Sequence, residues 1–192
     1  EMESLLVKHQ AVFFDQRGSG RSFAEITPET ITIKQFVEDI ENVRKALGFE
    51  KFSLIGHSWG AMLAMHYAFQ HESKLDSMIL ISSSPATSKG ERAFKEEFNK
   101  RSGVLIERIS AIQSSNKFAE GDPKTVSQFF RLLFQKYFHQ EKDVKKLRLA
   151  FQENSALEGM KIYEIFKLFF SREEFNFLPK LKRLTVPTLV VH

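Results

Sequence analysis

The 192-residue sequence has no cysteine, one tryptophan, three tyrosines and only five prolines. Without cysteine there is no disulfide scaffold, no thiolate metal site and no cysteine nucleophile. Long apolar runs are also missing: the longest uncharged one, Ala61 to Met65, falls far short of the roughly 20 residues a membrane span requires. Neither sign of charge dominates, with 28 Lys and Arg against 24 Asp and Glu. A net charge of +4 spread over mixed-sign helices leaves no electrostatic footprint for nucleic acid. No repeat or low-complexity linker divides the chain. Its length corresponds to one domain, or one domain with an insertion, and lets it bury about 70% of its extended surface without staples. The lack of cysteine and of any visible signal segment makes the cytoplasm the expected compartment.

What the sequence has in excess is phenylalanine, 20 in all, concentrated in the second half. These rings read foremost as core packing between helices, with an apolar pocket wall or a lipid-facing surface as the alternative. The first half alternates strand and helix patterns. Apolar runs at 11–14, 52–55 and 78–81 read as buried parallel strands. Thr32 is positioned to N-cap a helix with Ile33, Phe36, Val37, Ile40, Val43 and Leu47 on one face, and Gly48 to end it. Residues 61–70 form a second helix. The alternation predicts a parallel sheet with helices on both faces. From Pro85 to about Arg172 the pattern becomes consecutive amphipathic helices. One starts at Asp122-Pro123, and another runs near Leu157 to Phe170. Residues 186–191 return to strand character, so a helical insertion separates two pieces of one sheet.

Gly56-His57-Ser58-Trp59-Gly60 fits G-x-S-x-G between a strand pattern and a helix pattern. A serine at the apex of so sharp a turn is expected in a strained conformation, with the flanking glycines removing Cβ atoms that would collide. Its hydroxyl then stands at the carboxyl edge of the sheet. The helix N-terminus points at a developing oxyanion, with the backbone N–H of Trp59 as one donor.

Asp15-Gln16-Arg17-Gly18-Ser19-Gly20-Arg21-Ser22 resembles the D-x-R-G-x-G-x-S segment of α/β-hydrolases, and its wording is most similar to proline iminopeptidases and related serine aminopeptidases. Trp59 after the serine is compatible with the same group, and the stretch from Leu178 to His192 resembles the family's re-entry strand. The resemblance implies an α/β-hydrolase fold: a mostly parallel sheet with helices on both faces and an inserted helical cap. It divides the chain into partial core (1–84), cap (85–178) and partial core (179–192). It implies a serine hydrolase working by acyl transfer, with Ser58 as nucleophile, no cofactor, no metal, and a small-molecule or short-peptide substrate. Asp15 and Arg17 read foremost as residues that shape their loop through capping and ion pairing.

In the family an oxyanion loop precedes the Asp15 segment, and the acid and the histidine follow the re-entry strand. The sequence therefore reads as truncated at both ends, with acid and base expected beyond residue 192 and these residues expected to be inactive alone. The resident histidines offer no good base. His57 adjoins the nucleophile in a turn that throws side chains apart. His66 and His71 lie along the following helix, His9 at the wrong sheet edge, His192 just before the acid loop, and His139 in the cap. An aminopeptidase needs acidic cap residues for the substrate amine, for which Glu153, Glu158, Glu164, Glu173 and Glu174 are available, although solvated helix surface explains each of them. The phenylalanine-rich cap suits a small hydrophobic ester or lactone equally well. A hydrolase-fold binding protein without turnover is the remaining class.

Overall fold

A computed structural model of the chain describes residues 7–147, 149, 153–172 and 174–192. Helix α1 (Ile33–Ala46) opens where expected: the Thr32 side chain accepts from the Gln35 amide at 3.2 Å. It closes with Gly48 at φ 70°, while Gly48 N–H and Phe49 N–H donate to the carbonyls of Lys45 and Arg44. Only a residue without a Cβ takes this left-handed position at little cost. Strand β1 (Phe52–His57), helix α2 (Trp59–His71) and strand β2 (Leu75–Ile81) follow. Strand β3 (Thr188–Val191) joins them in a three-stranded parallel sheet of order β1-β2-β3.

The register aligns the three strand ends: His57 lies opposite Ile81, and Ile81 opposite Val191. Helix α2 packs on β1 and β2, and α1 packs on α2. Their apolar face includes Val37, Met62, Tyr67 and Met78, each exposed by 2% or less. The opposite sheet face shows exposed Ser53, Ile55 and Asp76, so a second helical layer has no counterpart among the described residues.

One expected strand does not form. Residues 11–14 carry no strand pairing, and Val12, Phe13 and Phe14 are 43%, 69% and 40% exposed. A strand exists through its ladder of interstrand hydrogen bonds, and apolar composition alone supplies none.

Between the sheet strands lie α3 (Ser88–Ser102), α4 (Val104–Gln113), α5 (Asn116–Ala119), α6 (Pro123–Phe134) and α7 (Glu153–Arg172), with α8 (Leu178–Leu181) leading back to β3. Asp122 caps α6 by accepting from Thr125 N–H at 2.8 Å, with Pro123 at the first helical position. These helices build a second apolar cluster around Ile109, Phe118, Val126, Phe129, Leu132 and Ala156. Helix α7 bridges both clusters: Met160 packs in the second, while Ile162, Ile165, Phe166 and Phe170 pack against the first. Phenylalanine thus serves the core at Phe36, Phe118 and Phe129, exposed by 4% or less, while Phe23 and Phe94 stand 84% and 42% exposed.

The two ends of the helical insertion are stitched together. Ser88 N–H donates to Phe175 O and Phe177 N–H to Ala86 O, each at 2.9 Å, while Phe175 N–H donates to Ser88 Oγ at 2.6 Å. Arg92 pairs with Glu174 across the same neck. No helix among the described residues is long and apolar enough to cross a membrane.

Candidate active site

Ser58 stands between the last residue of β1 and the first of α2, exposed, with φ 52° and ψ −114°. It and Ser82 (φ 42°) are the non-glycine residues with positive φ among those described. Such a conformation costs a residue with a Cβ roughly 1–3 kcal/mol and persists only where the surroundings impose it. Here they do. Ser58 N–H donates to Ile81 O at 2.9 Å, tying the turn to the neighbouring strand, and Ser58 O accepts from Ala61 N–H at 3.0 Å to start α2.

The two motif glycines have different roles. A Cβ on Gly56 would collide with the Gly60 carbonyl oxygen and lie 2.5 Å from its carbon and 2.6 Å from the Ala61 nitrogen. At Gly60 an added Cβ would meet nothing within 4 Å. Gly56 is therefore sterically required, and Gly60 is not. The strand and helix converge on one backbone crossing, and only Gly56 points its missing Cβ into it.

The Asp15 segment wraps beside this turn. Asp15 accepts from Arg21 N–H at 3.0 Å, and Gly20 (φ 55°) would drive a Cβ into that carboxylate. Arg17 forks onto Asp39 at 2.6 and 2.7 Å and also donates to Thr30 O at 3.0 Å, locking the loop onto α1. Asp15 and Arg17 are loop-shaping residues, as expected. Gly18, at φ 68°, lets the loop approach α7, where a Cβ would lie 2.7 Å from Ile162 Cδ1.

Trp59 joins the parts. Its ring packs on Phe166 of α7 (centroids 4.3 Å apart), on Phe36 of α1 (5.8 Å) and on Phe170 (6.3 Å). Its indole Nε1–H donates to Gln16 Oε1 at 3.2 Å, across 43 residues of sequence. Gln16 was legible only as a letter of the Asp15 motif; its partner has no sequence signal. A shallow groove between the Asp15 loop and α1 is lined by Phe14, Arg17, Phe23 and Asp39, and Ser58 is not part of it.

The histidines stay apart from Ser58 in role. His57 is exposed on the strand side of the turn, and His9 and His139 are exposed in bends. His66 sits between Phe69 and Phe177, where burial, aided by the Lys180 charge, pushes its pKa down to about 4. His71 lies against Tyr67 at the far end of α2. His192 follows β3 at the same sheet edge as Ser58. Of the acidic candidates, Glu164 pairs with Lys167 and Glu174 with Arg92. Glu158 makes no ion pair among the described residues and lies one turn before Ile162, whose side chain faces Gly18. Glu173 and the side chain of Glu153 lie outside the described residues.

A parallel sheet, a strained serine at a strand-to-helix turn and a helical insertion define a class, and the match extends over the whole length. The chain belongs to the α/β-hydrolase fold family, whose model matches residues 1–192. It is 35% identical over 113 residues to the proline iminopeptidase of Clostridioides difficile, covering 56% of this chain and 39% of that protein. To the proline iminopeptidase of Saccharolobus solfataricus it is 27% identical over 183 residues, 93% of this chain and 58% of that one. Among solved structures it resembles an α/β fold family hydrolase from Bacillus anthracis, with TM-score 0.61 at 21% identity over 92% of this chain and 62% of that one. An esterase from Exiguobacterium antarcticum gives TM-score 0.56 at 22% identity over 93% and 60%. The chain thus spans about a quarter to three fifths of the curated relatives it matches.

Proposed function

We propose that Ser58 is the nucleophile of a serine hydrolase working by acyl transfer, and that the protein carrying this chain is an aminopeptidase of the proline iminopeptidase kind. The observation that carries this reading is the left-handed Ser58 held between β1 and α2. A serine accepts such strain where its hydroxyl must project clear of both elements. In the proposed reaction Ser58 Oγ attacks the substrate carbonyl carbon, and its proton passes to a base. The first N–H groups of α2, Trp59 foremost, stabilise the negative oxygen. The amine then leaves with a proton, and water releases the acyl group from Ser58. We assign acid and base to the part of the relatives' length that this chain does not span, because no hydrogen bond joins a histidine to the Ser58 hydroxyl among the described residues. Residues 85–178 serve as the cap over this edge, with α7 supplying the wall formed by Phe166 and Phe170. Within the cap we take Glu158 as the acceptor for a substrate amine, since of the acidic candidates with described side chains Glu164 and Glu174 already hold cations.

The same aromatic wall suits a small apolar ester, so the test needs both substrates. The full-length protein is assayed with proline p-nitroanilide and with p-nitrophenyl acetate. The reading expects a preference for the anilide and a loss of at least roughly 1000-fold in kcat for Ser58→Ala. Ester turnover without anilide turnover would move the assignment to an esterase. Turnover unaffected by Ser58→Ala would end the serine mechanism.

A further inference from the structure

The proposal concerns Gln16 and rests on the acyl-transfer reading above. The indole N–H of Trp59 is the polar group of an otherwise aromatic cluster formed with Phe36, Phe166 and Phe170. Such a donor, half-buried among rings, needs an acceptor. Gln16 Oε1 provides it at 3.2 Å. The acceptor is itself held on both sides. Gln16 O receives Ser19 N–H at 2.9 Å and Ser19 Oγ–H at 2.7 Å, which closes the turn. The next residue, Arg17, is forked onto Asp39 at 2.6 and 2.7 Å. A line of contacts thus runs from α1 through Asp39, Arg17 and Gln16 to Trp59. Phe166 of α7 presses the same indole from another side.

Trp59 is the first residue of α2 and directly follows Ser58. Whatever fixes its side chain fixes the start of α2 and, with it, the backbone N–H beside the nucleophile. We infer that Gln16 is a positioning residue for acyl transfer: through its hydrogen bond to the Trp59 indole it sets the orientation of the oxyanion donor. It touches no reacting atom. Its effect falls on the transition state, where the oxyanion forms, and leaves ground-state binding nearly untouched.

The test uses the full-length protein and a fluorophosphonate probe, whose phosphorus is attacked by the serine oxygen with loss of fluoride. Maximal labelling rate and apparent probe affinity are measured separately. Gln16→Met removes the acceptor, and Trp59→Phe removes the donor while keeping an aromatic ring. Each should slow maximal labelling about 5- to 30-fold, with apparent affinity changed less than about twofold. The double variant should be no slower than the slower single one, and Gln16→Glu, which keeps an acceptor, should recover most of the rate. If Gln16→Met fails to fold, Trp59→Phe and Gln16→Glu still decide the matter. A wild type that labels at Ser58 while Gln16→Met labels at the wild-type rate, or single effects that multiply in the double variant, would overturn the proposal alone. An unlabelled wild type would overturn the acyl-transfer reading, and this proposal with it.

Discussion

Replacing Gly56 by alanine places a methyl carbon 2.5 Å from the Gly60 carbonyl carbon and 2.6 Å from the Ala61 nitrogen, with the Gly60 oxygen closer still. These distances lie about 1 Å inside ordinary contact, and the obstacle is backbone in the first turn of α2. Overpacking against side chains costs about 1–3 kcal/mol, because rotamers yield. Backbone already tied by Ser58 N–H to Ile81 O and by Ala61 N–H to Ser58 O has no such outlet. We expect a loss of about 3 kcal/mol or more, which for a chain of this size lowers Tm by about 6–12 °C. Gly60→Ala is the internal control. It adds a Cβ where nothing lies within 4 Å and replaces a helical glycine with a better helix former. It should leave Tm unchanged or raise it by as much as about 3 °C. Thermal melts of the 192-residue chain and of both variants, followed by circular dichroism, compare the two directly. A harmless Gly56→Ala, or equal damage at both positions, would refute the crossing geometry of the turn.

The buried Glu41 carboxylate accepts from Arg44 at 2.8 and 2.9 Å and from Tyr67 Oη at 2.7 Å. The Arg44 hydrogen bonds hold its pKa at about 2, below the ordinary 4.5, so its stabilisation is complete above pH 4.5 and lost as pH falls through 2. Tyr67→Phe should cost about 1–2 kcal/mol in urea melts at neutral pH. His66 acts over a higher window. Its pKa is about 4 folded against 6.5 unfolded, so the unfolded chain takes up the proton first and stability declines as pH drops from 6.5 to 4. His66 Nε2 has no hydrogen-bond partner among the described residues, so His66→Leu should flatten the stability profile over that range. Arg17→Ala should cost about 2 kcal/mol through loss of the Asp39 fork and the Thr30 bond. Arg17→Lys should recover less than half of that, since an ammonium cannot make the paired contact; equal recovery in melts would contradict the role of the fork.

Short-range features were readable from residue types. Thr32, Gly48 and Asp122 act as expected because a cap needs only partners within four residues. The turn at Ser58 follows from five adjacent letters and their flanking patterns, and the loop-shaping roles of Asp15 and Arg17 from a cluster of turn residues. The run at 11–14 forms no strand for the converse reason, because a strand requires a partner at a distance that the run does not encode.

Composition, spacing and local patterning were enough for an α/β architecture, a helical insertion and a serine at the sheet's carboxyl edge. The tertiary structure decided which of the two motif glycines is sterically required, which glutamates are already paired, and how Gln16 reaches Trp59 across 43 residues. Periodicity and caps are set by neighbours along the chain. A collision between two backbones, or an amide meeting an indole, exists only after distant segments have packed into one place.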